Sequence, residues 1–358
     1  MLTLTALTKH ISPRTIDEME CALSVLLAIF LAHYVGTNHM DWAAFAGFMV
    51  MRGRVEETVS RAFLRIVGTV IGGVATLTLV PLAAGNWIAN AVLIFTIGTI
   101  SIYGALTTRR SYAWLFFGLT YAMVALDQIE QPNLALHTFV ETRVLETLAG
   151  TFACVIVSLL SSLSLRRLWP AIRTAEPQVV LWHPYAARHA LQAGMALALL
   201  VALCHFFALP ELSQGAITIM AVMIIPISGI GVSGFVPVSL RILYRFMGCI
   251  AGAIYAFSVL VTVGDHTFGL ITGTAIGVIL GRHIENGNHP RRYVGTQFTL
   301  AVLIVLVPDS YSHATIGPAF ERLSGIFIGM AALEPVLFIW HLLSSMLMRW
   351  YQHDDKKV

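Results

Sequence analysis

Residues 61–72 read RAFLRIVGTVIG, and residues 241–252 read RILYRFMGCIAG. At an offset of 180, Arg61, Arg65, Gly68 and Gly72 fall on Arg241, Arg245, Gly248 and Gly252. A second match comes at an offset of 179: Arg143 and Gly150 in TRVLETLAGT fall on Arg322 and Gly329 in ERLSGIFIGM. Two matched pairs at nearly one offset mark an internal duplication, so each half of the chain should build one structural repeat.

Outward from these stretches the chain is apolar. Of its 358 residues, 57% are hydrophobic and 11% charged, and the mean hydropathy is +0.78. Soluble domains carry about 25% charged residues. A soluble fold of this length would lack the polar residues to cover its surface. The composition therefore excludes a soluble enzyme and a disordered chain, and leaves an integral membrane protein. Cys21, Cys154, Cys204 and Cys249 stand in or beside apolar runs without ligand spacing, and are expected to pack as small hydrophobes. No phosphate-binding loop, zinc-protease or serine-hydrolase motif occurs. No enzymatic activity, cofactor, metal or nucleic-acid partner is expected.

Apolar runs lie near 21–36, 40–51, 65–83, 87–106, 111–126, 144–165, 187–209, 213–228, 243–263, 267–282, 293–308 and 323–347. They predict an all-α integral membrane fold of about twelve transmembrane helices, with the short run 40–51 tilted or re-entrant. The expected organisation is a cytoplasmic segment 1–20, a six-helix repeat 21–165, a linker 166–186, a second six-helix repeat 187–347 and a tail 348–358. Pro170, Pro177 and Pro184 break the linker. Six spans per copy give both repeats the same orientation, related by a pseudo-two-fold along the membrane normal.

Charge placement tests this count. With the N-terminus inside, every one of the 22 Lys and Arg residues except Arg143 and Arg322 falls on an inner segment, while acids show no bias. That is the positive-inside pattern, and it places both termini in the cytoplasm.

The matched residues are also the chemical candidates. Gly68 and Gly72, Gly248 and Gly252, and Gly150 and Gly329 are expected to let helices approach closely. Arg61, Arg65, Arg241 and Arg245 begin spans at the cytoplasmic edge, where they either snorkel to lipid phosphates or gather anions at an inner vestibule. Arg143 and Arg322 are the two outer cations, at equivalent repeat positions, and are the expected substrate-binding pair. Glu146 lies three residues after Arg143, on the same helix face, and is a proton-coupling candidate. Its repeat position in the second half holds Gly325. Glu334 precedes Pro335 deep in the last span and is the second proton-coupling candidate.

Three stretches of the first half carry a resemblance: VSRAFLRIVGTVIGG (59–73), SYAWLFFGLTYAMVAL (111–126) and ETRVLETLAGTFA (141–153). With GTQFTLAVLIVLVP (295–308) and the run from Arg322 to Gly329, they resemble the fusaric acid resistance family. That family includes aromatic acid exporters such as the p-hydroxybenzoate efflux subunit. The resemblance covers residues 20–345, without the cytoplasmic domains of longer members. It implies proton-driven export of aromatic or other organic acids across the bacterial inner membrane, and a periplasmic membrane fusion protein as partner.

The expected partners are thus the lipid bilayer, small organic anions, a membrane fusion protein and a second copy of the chain in a homo-oligomer. Two rival functions stand beside the exporter. One is a passive organic-anion channel, since plant malate channels resemble the family's membrane half. The other is a membrane scaffold whose buried charges are purely structural.

Overall fold

Each of the twelve apolar runs is helical. The computed structural model describes residues 12–37, 39–171, 182–207, 209–230, 234–264, 266–307 and 315–354. Expectations for residues 1–11, for the middle of the 166–186 linker and for the end of the tail lie outside the described residues. Thirteen α-helices and two 3-10 turns occur among the described residues, with no strand.

The first half holds α1 (Pro13–Val35), α2 (Met40–Val50), α3 (Val55–Leu79), α4 (Trp87–Thr107), α5 (Ser111–Glu130) and α6 (Leu136–Leu163). The second holds α7 (Pro184–Phe207), α8 (Leu212–Met223), the single turn α9 (Ile227–Ile230), α10 (Phe235–Val263), α11 (Thr267–Glu285), α12 (Arg292–Leu306) and α13 (Gly317–Asp354). Local chemistry sets the ends. Ser12 caps α1 by accepting from the Thr15 N–H at 3.1 Å, and Pro13 supplies the preset first turn. Gly36 closes α1 in the left-handed conformation at φ 76°, where an L side chain is strained. Asn86 caps α4 by accepting from the Ile88 and Ala89 N–H groups. Pro226 breaks the run 213–228 into α8 and α9.

Among the described residues, seven helices are long and apolar enough to cross a membrane: α3, α4, α6, α7, α10, α11 and α13. The expectation of about twelve spans is thus met for seven by length and composition. At 1.5 Å per residue, the 11-residue α2 and 12-residue α8 reach about 16 and 18 Å, roughly half of a 30 Å core. The long helices carry their apolar side chains outward. On α10, Val236, Leu240, Leu243, Met247, Ile254, Phe257 and Val261 are all exposed. A continuous exposed apolar stripe at helical spacing is what a lipid-facing helix presents.

The helices gather into two compact units, each assembled from three stretches of chain. The first unit holds α1, α2, α11 and α12, with parts of α3, α6 and α10; the second holds α4, α5, α7 and α8, with the other parts of those helices and most of α13. In the first unit α1 packs on α11 and α2 on α12; in the second α7 packs on α4 and α8 on α5. The duplication relates α1 to α7, α2 to α8, α4 to α11 and α5 to α12. Each unit therefore combines one helix pair from each half of the sequence, in the same pairing. The compact units cut across the stretches 21–165 and 187–347 rather than coinciding with them.

The glycine contacts make the equivalence concrete. A Cβ on Gly68 would lie 2.4 Å from the Ala113 carbonyl oxygen and 3.0 Å from Phe116 Cβ. One on Gly248 would lie 2.6 Å from the Val294 carbonyl oxygen and 2.7 Å from Gln297 Cβ. Hydrogen in place of a side chain is what lets α3 seat on α5, and α10 on α12, within each unit.

Candidate functional site

The paired arginines begin neither α3 nor α10. Arg61 and Arg65 are the seventh and eleventh residues of α3, and Arg241 and Arg245 hold the same places in α10. Two turns of helix thus precede the expected edge. Arg65 and Arg245 are 4% and 1% exposed, so neither snorkels to the surface. Arg245 donates from Nη1 to Gln297 Oε1 on α12 at 2.7 Å. Arg61 is half-buried and donates to the Met49 carbonyl. Arg241 is half-buried in the second unit. The vestibule set therefore divides into two deeply buried and two partly exposed cations.

Arg143 and Glu146 lie about two and three turns into α6 rather than at its start, because the helix begins at Leu136. Arg143 Nη1 stands 3.1 Å from Glu146 Oε2, with side chains 15% and 1% exposed. The guanidinium lies 4.3 Å from the centroid of the Trp42 ring on α2. Gly150 makes this possible: a Cβ there would sit 2.3 Å from the Ala43 carbonyl oxygen and 2.4 Å from Ala46 Cβ. The bare glycine draws α2 against α6 and brings Trp42 over Arg143. Ion pair and cation–π contact together hold a charge in an otherwise apolar contact.

The second unit repeats the geometry with different chemistry. A Cβ on Gly329 would meet the Gly215 carbonyl oxygen at 2.6 Å and Thr218 Cβ at 2.9 Å, repeating the contact of Gly150 with α2. Gln214 is the third residue of α8, as Trp42 is of α2. A Cβ on Gly325 would lie 2.3 Å from Gln214 Cβ. A glutamate at 325 has no room beside that glutamine, which gives the missing partner of Glu146 a steric reason. Arg322 is 2% exposed. It belongs to the second unit and Arg143 to the first. Glu334, twelve residues beyond Arg322 on α13, is half-buried beside the exposed Pro335.

Two features had no signal in the sequence reading. One is an ion-pair network in the first unit. Arg282 of α11 donates to Asp17 of α1 at 2.7 Å and to Glu285 at 3.2 Å. Asn286 donates to Asp17 at 2.7 Å, and Arg166 donates from Nε to Glu20 at 2.8 Å. Ser161 also donates to Glu20. Burial alone would raise the Asp17 carboxyl, but Arg282, Asn286 and Arg166 outweigh it and hold the group below the usual carboxylate value. The other feature is a cavity of about 510 Å³ in the second unit, with Trp87, His205, Asn86, Asn90 and Gln128 among its walls. Trp87 and His205 stack there at 5.0 Å and 14°. In the same unit Glu130, the last residue of α5, accepts from the Leu212 N–H at 2.8 Å, on the first residue of α8. Burial pushes Glu130 up to about 7, with Asp127 and Glu211 adding like charge against the Leu212 hydrogen bond.

The fold and these buried charges define a multi-pass, all-helical membrane protein. Residues 27–157 match the family described as fusaric acid resistance protein-like, which bears out the resemblance carried by Arg61 to Gly72 and Arg143 to Gly150. An uncharacterized transporter of Gluconobacter oxydans (strain 621H) is 30% identical over 121 residues, covering 30% of this chain. The chain spans only 16% of that relative's length. No solved structure matches.

Proposed function

We propose that the protein is a secondary transporter exporting small organic anions, aromatic carboxylates foremost, across a bacterial inner membrane. One observation carries the reading: the Arg143–Glu146 pair inside a membrane-length helix, with the guanidinium over the Trp42 ring of α2. Ionisable groups in spans are costly, and their default role is in a substrate or proton pathway. An arginine fork binds a carboxylate through two parallel hydrogen bonds. Trp42 adds an aromatic face at the same guanidinium. Glu146 pairs with Arg143; protonation of Glu146 weakens the pair and frees the fork for substrate, which couples proton entry to anion binding. Arg322 serves the equivalent position with Gln214, and Glu334 is the second proton-coupling group. The name of the Gluconobacter relative and the family of the first half support transport as the class of activity.

In this reading the twelve runs form two parallel six-helix repeats, 21–165 and 187–347, with both termini cytoplasmic. A periplasmic membrane fusion protein and a second copy of the chain complete the assembly.

The test is transport of p-hydroxybenzoate by proteoliposomes under an imposed proton gradient. Accumulation against the substrate's own gradient supports the exporter. Flux that only dissipates a gradient makes the protein a channel. No flux of any organic acid by the wild type, with protein levels that fall in Arg143→Ala, makes it a scaffold.

A further inference from the structure

At the end of the first unit where α1 begins and α11 ends lies a polar cup of about 490 Å³. Six arginines line it against three acids, Asp17, Glu57 and Glu285. Its floor is fixed. Arg282 is held by Asp17 and Glu285, and Arg166 by Glu20. Arg14 is held by Glu18 and by the His283 carbonyl. Gly53 lets the turn after α2 seat against this floor: a Cβ there would lie 2.7 Å from Ala171 Cβ and 3.3 Å from Arg166 Nη2. The rim is different. Arg52 donates to its neighbour's carbonyl, Met51, and Arg292 is exposed at the start of α12; neither meets a carboxylate among the described residues. Arg61 of α3 completes the rim.

We propose that this cup is a phosphate-binding site, taking a ligand whose phosphoryl oxygens are gathered by Arg52, Arg61 and Arg292. The cations come from three separate elements. A planar carboxylate offers two oxygens and answers one arginine fork. A phosphate offers three or four around a tetrahedron and carries up to two negative charges, which suits a rim that stays cationic after the floor is neutralised. The cup has room for a phosphate with an attached polar group. The positive-inside pattern puts this end at the cytoplasmic leaflet, where a phospholipid headgroup and a free phosphomonoester present the same chemistry. Bound phosphate would tie the turn after α2, α3 and α12 together. Arg52, Arg61 and Arg292 are separate from the Arg143–Glu146 pair, and phosphate binding there is independent of what is transported.

The experiment uses the full chain purified in detergent, with inorganic phosphate as probe at ionic strength matched by chloride. The expected result is a saturable rise in Tm that chloride does not give. In the double variant Arg52→Gln/Arg292→Gln the apparent affinity falls at least about 10-fold. Glu57→Gln, which removes a negative charge from the rim, tightens binding. A second arm reconstitutes the protein in phosphatidylcholine vesicles with and without phosphatidylglycerol. Stabilisation by phosphatidylglycerol that inorganic phosphate reverses assigns the site to a lipid headgroup. Stabilisation by inorganic phosphate with no lipid effect assigns it to a soluble ligand. A wild type indifferent to both probes, or variants that respond as the wild type does, overturns the proposal. Should the double variant not fold, wild type and Glu57→Gln decide it alone, since equal affinities for phosphate sink the rim assignment.

Discussion

Arg143 and Glu146 form an ion pair on one face of α6, Nη1 to Oε2 at 3.1 Å, with the carboxylate 1% exposed. The pair is both a packing element and the centre of the proposed transport step, and substitution separates the two. Arg143→Ala removes the Nη1 contact to the buried Glu146 carboxylate, and breaking a buried pair of this kind costs about 3–5 kcal/mol. The variant should show a lower Tm in detergent. Glu146→Gln keeps the shape and leaves a hydrogen-bonding amide beside Arg143. It should fold, and its transport of p-hydroxybenzoate should lose dependence on the proton gradient. Normal gradient dependence in Glu146→Gln would make Glu146 a structural partner and move attention to Glu334.

Arg143→Lys tests the fork. Lysine keeps the charge but presents a point ammonium in place of the guanidinium that lies over the Trp42 ring. Transport should fall by about 10-fold or more. Retained transport with near-wild-type apparent affinity would show that charge alone suffices.

The equivalence of the glycine contacts predicts paired effects. Gly68→Ala and Gly248→Ala each place a Cβ within about 2.6 Å of a backbone carbonyl oxygen, at Ala113 and Val294. Helix backbones must move apart in both, at about 1–3 kcal/mol each. Similar Tm losses are expected. A neutral Gly248→Ala beside a destabilising Gly68→Ala would break the equivalence.

Glu130 predicts a pH dependence with a definite sign. Its folded value, about 7, lies above the ordinary carboxyl value of 4.5, so the folded protein holds the proton more tightly than the unfolded chain. This group's contribution is therefore fully present below pH 4.5 and is lost as pH rises through about 7. Glu130→Gln keeps an oxygen to accept from the Leu212 N–H and carries no charge. Its Tm should match wild type at acid pH and exceed it above pH 7. An unchanged pH profile in the variant would remove Glu130 as the cause.

Asp17 has the opposite sign. Its value is held below 3.8, so its pairing with Arg282 stabilises the fold above that pH and is lost as pH falls through the lower folded value. Asp17→Asn should destabilise at neutral pH and lose the acid-side drop. Thermal unfolding in detergent from pH 3 to 7, on the order of the carboxylate range, reads both effects.

Much of this architecture is legible in the chain itself. A composition with 11% charged residues leaves no alternative to a membrane. Twelve apolar runs all become helices, because in lipid each backbone N–H and C=O must find its partner inside the segment. The repeat was visible in Arg61, Arg65, Gly68 and Gly72, since a four-residue spacing returns to one helix face whatever that face touches. Helix ends were displaced where polar residues extend a helix beyond its apolar run, as Val55 to Leu64 does before Arg65 in α3. What each face touches lay beyond the sequence. Nothing near Asp17 announces Arg282, which lies 265 positions away, and nothing in Trp42 announces the guanidinium of Arg143. Nor do the apolar runs indicate that α1 and α2 pair with α11 and α12 while α4 and α5 pair with α7 and α8. Periodicity records which residues share a face, and that is a local property of 3.6 residues per turn. Which faces meet is decided by close approach at Gly150, Gly68 and Gly248 and by the pairing of buried charges, and those arise only when distant segments are brought together.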